Sequence, residues 1–217
     1  YQLVLEELLL GKPIQYLTHE APFYGLNLYV DERVLIPRPE TEQLVHWIIQ
    51  DNPKFRGTVL DIGTGSGCIP IALAKHWPEA VLSGCDISAE ALVVAEKNAK
   101  EQEVDVTFIQ KDILSQELYT YDIIISNPPY IGENEKHDMH QNVLDNEPHL
   151  ALFVSDSDPL IFYKRILQLA KQQETTCYFE TSELYRNELD SWLNKEGHTY
   201  IWQLDFQEKN RMLKVSF

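Results

Sequence analysis

A glycine-rich loop is the first place along the chain where residue types and spacing could support chemistry. The sequence VLDIGTGSGC places Asp61, Gly63, Gly65 and Gly67 directly after a predicted strand and at the start of a predicted helix. Glycines at every second position let the backbone turn sharply and let a ligand lie against bare peptide groups. The dinucleotide-binding pattern requires another glycine where this chain has Cys68, so that pattern is not met. The loop still predicts a cofactor site.

The spacing Asp-x-Gly-x-Gly-x-Gly resembles the loop of the S-adenosylmethionine-dependent methyltransferases, in which no pyrophosphate has to be bound. The resemblance implies that S-adenosylmethionine (SAM) is the cofactor. It also implies a set of contacting loop residues, which comprises Asp61, Gly63, Thr64, Gly65, Ser66 and Gly67.

Two more carboxylates follow the next two predicted strands, Asp86 beside Ile87 and Asp112 beside Ile113. The carboxyl ends of parallel strands meet at the edge of a sheet where ligands bind. We predict that Asp86 accepts hydrogen bonds from both ribose hydroxyls and that Asp112 accepts one from the adenine amino group, with Ile113 against the ring. One such acid could simply cap the next helix, but three acids on successive strands, counting Asp61, favour a cofactor rim.

The segment DIIISNPPYI ends a predicted buried strand with Asn127, Pro128, Pro129 and Tyr130. Proline has no backbone N–H and holds the residue before it extended, so the loop presents the Asn127 side-chain oxygen and the Pro128 carbonyl as acceptors. Two acceptors can grip both hydrogens of a planar NH₂ group and aim its nitrogen at an activated methyl group. We predict Asn127 and Pro128 as catalytic, and all four residues as substrate-binding, with Tyr130 stacking on the planar group. Asn127 is also expected to contact the cofactor.

Glutamine, adenine and guanine could each supply that planar nitrogen. The stretches GKPIQYL, VLIPRPETE, DIGTGSG and NPPYI, in this order, resemble the HemK/PrmC family of protein-(glutamine-N5) methyltransferases. The resemblance implies that the substrate is the glutamine in the Gly-Gly-Gln motif of peptide chain release factors, with its amide bound by Asn127 and Pro128. A related enzyme methylates a glutamine of a ribosomal protein but usually departs from Pro-Arg-Pro-Glu-Thr-Glu. Residues 37–42 keep that pattern intact, which favours the release-factor branch.

Two other functions compete with this interpretation. The first is methylation of adenine or guanine in nucleic acid. It is disfavoured by 18 basic against 34 acidic residues, a net charge of −16 that repels phosphates. The second is a cofactor-binding interaction module without turnover, which the intact Asn-Pro-Pro-Tyr sequence and the rim carboxylates argue against. No apolar run approaches the about 18 residues of a membrane span, so we expect a soluble, cytoplasmic protein with no membrane partner.

The alternation of strands and helices predicts how these residues are positioned. Strands are predicted over 58–63, 80–86, 106–112, 121–126, 175–180, 199–206 and 211–217, and helices over 41–51, 67–77, 89–102, 158–173 and 184–195. Such alternation is typical of a parallel sheet covered by helices on both faces. The last two strands have no helix between them, so they should form an antiparallel pair at one edge. The predicted fold class is therefore α/β, a Rossmann-like, mostly parallel seven-stranded sheet of the class I methyltransferase type.

A short β-hairpin is predicted to precede this domain. Strands are expected over 22–29 and 33–36, and Thr41 is expected to cap the next helix. The predicted division is 1–12 as the remnant of an N-terminal helical domain, 13–40 as hairpin and linker, and 41–217 as the catalytic domain. A helix over residues 2–10, ended by Gly11, belongs to the first part.

The remaining reactive residue types favour structural roles. Cys68, Cys85 and Cys177 lie in apolar segments without metal-ligand spacing and are expected to be reduced and packed. No metal site is expected. Arg38 could contact cofactor or substrate, or pair with a carboxylate. Phe23 could lie over the reacting centre, although a core position is the default.

Overall fold

The computed structural model describes residues 2–217, with side chains at residues 6–137 and 139–217. The helices are α1 (Gln2–Leu9), α2 (Ile14–Thr18), α3 (Pro39–Asp51), α4 (Cys68–His76), α5 (Ala89–Glu101), α6 (Gln141–Asn146), α7 (Ile161–Lys171) and α8 (Arg186–Glu196). The strands are β1 (Ala21–Phe23), β2 (Leu26–Leu28), β3 (Thr58–Ile62), β4 (Val81–Asp86), β5 (Val106–Gln110), β6 (Ile123–Ser126), β7 (Ile131–Gly132), β8 (Phe153–Val154), β9 (Thr176–Glu180), β10 (Thr199–Leu204) and β11 (Asn210–Ser216). Short 3₁₀ helices span Glu133–Asp138, His149–Ala151 and Glu183–Tyr185.

The central sheet has seven strands in the order β10-β11-β9-β6-β3-β4-β5. Strands β5, β4, β3, β6 and β9 run parallel to one another, whereas β11 is antiparallel to both β9 and β10. The prediction of a mostly parallel sheet with an antiparallel edge pair is therefore confirmed. In this order the carboxyl ends of β3, β4, β5 and β6 lie side by side.

Helices bury both faces of the sheet, which explains the continuous apolar run of β6. Ile123 and Ile125 belong to the core cluster that contains residues of α3 and α4, whereas Ile124 belongs to the cluster with residues of α7 and α8. Successive side chains of a strand point to opposite faces, so a strand covered on both sides needs apolar residues at every position. The run ends where the strand reaches the rim.

The segment before α3 differs from the prediction. Residues 22–29 do not form one strand, because Tyr24 and Gly25 have φ angles of 47° and 78° and turn the chain into the hairpin of β1 and β2. Residues 33–36 do not form a strand either. The Asp31 carbonyl accepts from the Val34 N–H at 3.1 Å and makes a turn there. Val30 and Val34 are instead buried in a small core with residues of α5.

Asn98 on α5 fastens this segment to the glycine loop. Its amide group pairs with the Tyr29 backbone, at 2.7 Å to the N–H and 2.9 Å to the carbonyl oxygen, and also donates to the Ser66 carbonyl at 2.9 Å. Asn98 is 1% exposed, so these bonds are made inside the protein. The position of the N-terminal segment is thereby linked to the position of the loop.

The start of α3 also corrects a prediction. The helix begins at Pro39, and its Arg38 cap position makes no side-chain capping bond. Thr41 lies inside the first turn, so its assignment as the N-cap is wrong. Proline suits the first helical position because the missing N–H would have no partner there. The Thr41 side chain is consequently available for another contact.

Candidate active site

A cavity of about 330 Å³ opens at the carboxyl ends of β3, β4, β5 and β6. Its lining contains most of the residues that the sequence predicts for cofactor and substrate, namely Gly63, Thr64, Gly65, Ser66, Asp86, Ile87, Asp112, Ile113, Asn127, Pro128 and Pro129. Asp61, Gly67 and Tyr130 do not line it. The fold therefore brings the glycine loop and the Asn-Pro-Pro loop to one cavity. The Ser126 hydroxyl joins the two loops by donating to the Ile62 carbonyl at 2.8 Å.

The three loop glycines have two different roles. Gly63 and Gly65 have φ angles of 72° and 52°, and a Cβ atom built on either would meet nothing within 4 Å. Gly67 has a φ angle of 78°, but a Cβ there would lie 3.1 Å from side-chain atoms of Ala95 and Ile71. The first two glycines leave room in the cavity, whereas Gly67 lets α4 pack closely.

Asp86 holds the glycine loop against the next strand. Its carboxylate accepts from the Gly65 N–H and from the Ser88 N–H, both at 2.9 Å. Burial raises the pKa of Asp86, while the backbone N–H bonds from Ser88 and Gly65 oppose that rise. A carboxylate at this point can fix the loop and still accept from a ligand, because each of its oxygens has two lone pairs.

Asp61 is the most unusual polar group beside the cavity. It is 1% exposed, and neither of its oxygens has a hydrogen-bond partner among the described residues. Burial raises the pKa of Asp61 to about 7; the nearby Thr64 hydroxyl opposes this rise, and the charge of Asp86 adds to it. A buried carboxylate without a partner is costly, so this site fits a ligand that brings a donor or a positive charge.

Asp112 ends the row of rim acids and shapes its own turn. One oxygen accepts from the Leu114 N–H at 3.0 Å and the other from the Ser115 hydroxyl at 2.8 Å. The adjacent Ile113 is 6% exposed and presents an apolar surface to the cavity, while Ile87 lies on the cavity wall at 48% exposure. These two isoleucines give this part of the cavity the surface that a flat ring requires.

Asn127 is held by residues that the sequence did not indicate. Its Nδ2 donates to the Thr41 hydroxyl oxygen at 3.2 Å, and the Thr41 hydroxyl donates to Glu180 Oε2 at 2.6 Å. Within the described residues, no hydrogen bond reaches the Asn127 Oδ1. Pro128 beside it is buried and also lines the cavity. The loop therefore has an acceptor that no described residue occupies.

Tyr130 lies away from the cavity wall. Its hydroxyl donates to Glu180 Oε1 at 3.3 Å, and its ring packs against the core cluster of α7 and α8. Burial raises the pKa of Tyr130, so its hydroxyl is a donor at neutral pH. In this arrangement Tyr130 supports the Asn-Pro-Pro loop through Glu180.

Arg38 forms an ion pair, one of the roles left open by the sequence. Its Nη2 lies 2.6 Å from Glu147 Oε1, and Glu147 Oε2 accepts from the Ile36 N–H at 3.3 Å. The Glu147 side chain is only 2% exposed. The pair ties the segment after β7, including the cavity residues Pro148 and Leu150, to the loop before α3. A glutamate 109 residues from its partner gives no local sequence signal.

Other reactive residues have structural positions. Phe23 is 0% exposed and packs in the core cluster with α3 and α4, as its default interpretation predicts. The three cysteines are free and buried, and burial raises the pKa of Cys68 and Cys85 to about 12. Among the side chains of residues 6–137 and 139–217, no cluster of His, Cys, Asp and Glu is arranged to hold a metal ion. No helix in the same range is long and apolar enough to cross a membrane.

Comparison with known proteins places this geometry among methyltransferases. The family described as "Methyltransferase small domain" matches residues 40–151. A release factor glutamine methyltransferase of Flavobacterium psychrophilum is 47% identical over 227 aligned positions, which cover 100% of this chain and 80% of that protein. The protein of the same name in Bacteroides thetaiotaomicron is 49% identical over an alignment that covers 82% of this chain and 66% of that relative.

A solved structure shows the same fold at low identity. Magnesium protoporphyrin IX methyltransferase from Synechocystis, solved with bound SAM, is 18% identical to this chain and superposes with a TM-score of 0.55. The match covers 81% of this chain and 76% of the other. At this identity the likeness extends to the fold alone.

Proposed function

The chain belongs to the release factor glutamine methyltransferase family, and from this membership we propose that it methylates a glutamine side chain with SAM as methyl donor. The substrate we propose is the glutamine of the Gly-Gly-Gln motif in peptide chain release factors. The observation that carries the proposal is the meeting of the glycine loop and the Asn127-Pro128 pair in one cavity of about 330 Å³.

The cofactor residues proposed are those at the ends of β3, β4 and β5. When bound, SAM supplies an electrophilic methyl group on a sulfonium centre. Gly63 and Gly65 leave space beside the loop, and Asp86 accepts from ribose hydroxyls while it holds Gly65. Asp112 accepts a hydrogen bond from the adenine amino group, and Ile113 packs against the adenine ring. The unpaired carboxylate of Asp61 favours the positive end of the ligand.

The loop residues Thr64, Ser66 and Gly67 complete the proposed cofactor set in different ways. Thr64 and Ser66 lie on the cavity wall and are almost fully buried. The Thr64 hydroxyl, like the Asp61 carboxylate, has no partner among the described side chains and is available to a ligand. Gly67 acts through the packing of α4, which carries the loop.

The substrate residues proposed are those of the Asn-Pro-Pro-Tyr loop. The nitrogen of a glutamine amide is a poor nucleophile because its lone pair is delocalised into the carbonyl group. Asn127 Oδ1 and the Pro128 carbonyl oxygen accept one amide hydrogen each and hold the nitrogen toward the cofactor side of the cavity. Catalysis then comes from alignment and from acceptors that are already in place. Pro129 on the wall and Tyr130 behind the loop keep it rigid.

The wider assignments follow from this activity. We place the protein in the cytoplasm, where release factors act, and we assign residues 41–217 to catalysis and 13–40 to a hairpin and linker. Its net charge of −16 opposes direct binding of nucleic acid phosphates. The proposed partner is therefore a protein.

One competition experiment tests the proposal. Purified release factor, a ribosomal protein, a DNA oligomer and ribosomal RNA are incubated in parallel with the protein and methyl-labelled SAM. We expect label on the release factor, and no label on a variant in which the Gly-Gly-Gln glutamine is replaced by glutamate. Label that persists in that variant, or that falls only on nucleic acid, would overturn the assignment.

A further inference from the structure

A buried chain of hydrogen bonds runs from Asn127 into the protein. Asn127 Nδ2 donates to Thr41 at 3.2 Å, and Thr41 donates to Glu180 at 2.6 Å. Thr41 is 3% exposed and Glu180 is 1% exposed, so water does not compete for these bonds. The three residues come from different elements: Asn127 follows β6, Thr41 lies in the first turn of α3, and Glu180 ends β9.

The single proton of the Thr41 hydroxyl gives this chain a direction. Both oxygens of the Glu180 carboxyl group accept from hydroxyls, Oε2 from Thr41 at 2.6 Å and Oε1 from Tyr130 at 3.3 Å, so the Thr41 proton points to Glu180. The Thr41 oxygen then has only lone pairs to offer to Asn127, and it must face the NH₂ side of that amide. Turning the amide by half a rotation would place two acceptors against each other, so Asn127 Oδ1 is directed away from Thr41.

Glu180 is itself fixed at several atoms. Its Oε1 accepts from the Tyr130 hydroxyl at 3.3 Å, and its backbone carbonyl accepts from the Tyr163 hydroxyl at 3.1 Å. Burial raises the pKa of Glu180; the hydrogen bond from Thr41 and the charge of Arg211 oppose this rise, and the charge of Glu40 adds to it. Because both of its oxygens accept hydrogen bonds, the Glu180 carboxyl group has a fixed orientation. That orientation determines the direction of the Thr41 hydroxyl proton.

We infer that Thr41 and Glu180 are positioning residues that set the direction of the Asn127 amide, so that its oxygen receives the target N–H group. The inference rests on the proposed function and deepens it. In this role Thr41, which also lines the cavity, and Glu180 act through Asn127 and not on the substrate nitrogen itself. Without the Thr41 hydroxyl the Asn127 amide is free to rotate. Its NH₂ group can then face the substrate N–H, and two donors that face each other repel. The Asn127 oxygen would no longer be in place to accept from the substrate.

Thr41→Val tests this step because valine has nearly the shape of threonine but lacks the hydroxyl. We expect kcat on release factor to fall by about 10-fold to about 100-fold, as for other small losses of alignment. The dissociation constant for SAM should change by less than about threefold, because Thr41 accepts from Asn127 and not from the glycine loop. Thr41→Ser restores the hydroxyl and is expected to bring kcat within about threefold of wild type.

Glu180→Gln tests the next link. The NH₂ group of a glutamine can donate to the Thr41 oxygen, and the Thr41 hydroxyl can then donate to Asn127. This arrangement favours the Asn127 amide in the opposite orientation, so we expect kcat to fall. In the Thr41→Val background the same change should have no further effect on kcat, because Glu180 acts through the hydroxyl. An additive loss in the double variant, or an unchanged kcat in Glu180→Gln alone, would remove Glu180 from the inference.

A spectroscopic readout separates this inference from the proposed function. In protein labelled with ¹⁵N-asparagine, the side-chain NH₂ signal of Asn127 is identified by its absence from Asn127→Ala. We expect Thr41→Val to shift that signal and Thr41→Ser to leave it near its wild-type position. If wild type methylates release factor and Thr41→Val matches it in kcat, the inference is wrong and the function stands. If no substrate is methylated but the signal shifts as expected, the function is wrong and the hydrogen bond stands.

Discussion

The two halves of the cavity are held in place by contacts of very different range. In the cofactor half, Asp86 bonds to Ser88 two residues away and to Gly65 on the neighbouring loop 21 residues away. Asp112 bonds to residues two and three positions further along the chain. Each rim acid is thus set by its own turn or by the adjacent βα unit.

The substrate half depends on partners that are remote in sequence. Asn127 and Thr41 are 86 residues apart, Thr41 and Glu180 are 139 apart, and the ion pair of Arg38 and Glu147 joins residues 109 apart. The difference suggests that the cofactor half forms with the local βα units, whereas the substrate half is completed only when α3 and β9 have packed. Changes in the two halves should therefore have separable effects on cofactor binding and on methyl transfer.

The largest separation is expected for Asn127→Ala. The variant loses one of the two acceptors for the substrate NH₂, and we expect kcat to fall by about 100-fold to about 1000-fold. SAM affinity should stay within about threefold, since the glycine loop and rim acids are unchanged. Kinetics with labelled SAM and calorimetry measure the two quantities. Equal losses of both would mean that Asn127 belongs to the cofactor half.

A pair of glycine variants sharpens the comparison within the cofactor half. Gly65→Ala places a methyl group in the open cavity, and we expect about a tenfold loss of SAM affinity. Gly67→Ala is the matched control, because its φ angle is also positive but its Cβ meets Ala95 and Ile71. There we expect the free energy of unfolding to fall by about 2–4 kcal/mol with little change in affinity. Calorimetry and denaturant titration give both values. The reverse result would reassign the two glycines.

The smallest expected effect concerns the pH dependence of Asp61. Its folded-state pKa of about 7 lies above the ordinary value of 3.8. Between these values the folded state binds more protons than the unfolded state, so stability without cofactor decreases as pH rises from about 4 to about 7. Asp61→Asn should remove this part of the slope and raise the melting temperature at pH 8 by about 2–4 °C. Parallel slopes for wild type and variant would show that Asp61 is not buried as a lone carboxylate.

The contrast in range also explains which site residues could be found from the sequence. The glycine loop, Asp86, Asp112 and the Asn127-Pro128 pair were predicted because each follows a recognisable strand. Thr41 was assigned as a helix cap because a threonine before an apolar-periodic run usually has that role. The actual partner of Thr41 is Glu180, which ends β9, the strand between β6 and β11. No sequence pattern near either residue indicates that they meet.

The N-terminal segment shows the same limit. The alternation of Leu26, Leu28 and Val30 led to a predicted second strand over residues 33–36, yet those residues follow a turn at Asp31, where the Val34 N–H bonds to the Asp31 carbonyl. Alternation records which residues are buried and does not show whether a neighbouring strand is present to pair with them. The turn of Tyr24 and Gly25 was missed for a related reason, since its positive φ angles depend on the hairpin that it closes.

The sequence by itself determined the order along the chain of the seven strands of the central sheet, the antiparallel edge and the residue types that line the rim. These features follow from hydrophobic periodicity and from the backbone limits of glycine and proline, which act within a few residues. Only the tertiary structure decided which way the Asn127 amide points, which carboxylate Arg38 meets and how deeply Asp61 is buried. Hydrogen-bond direction and burial depend on groups that folding brings together from distant parts of the chain.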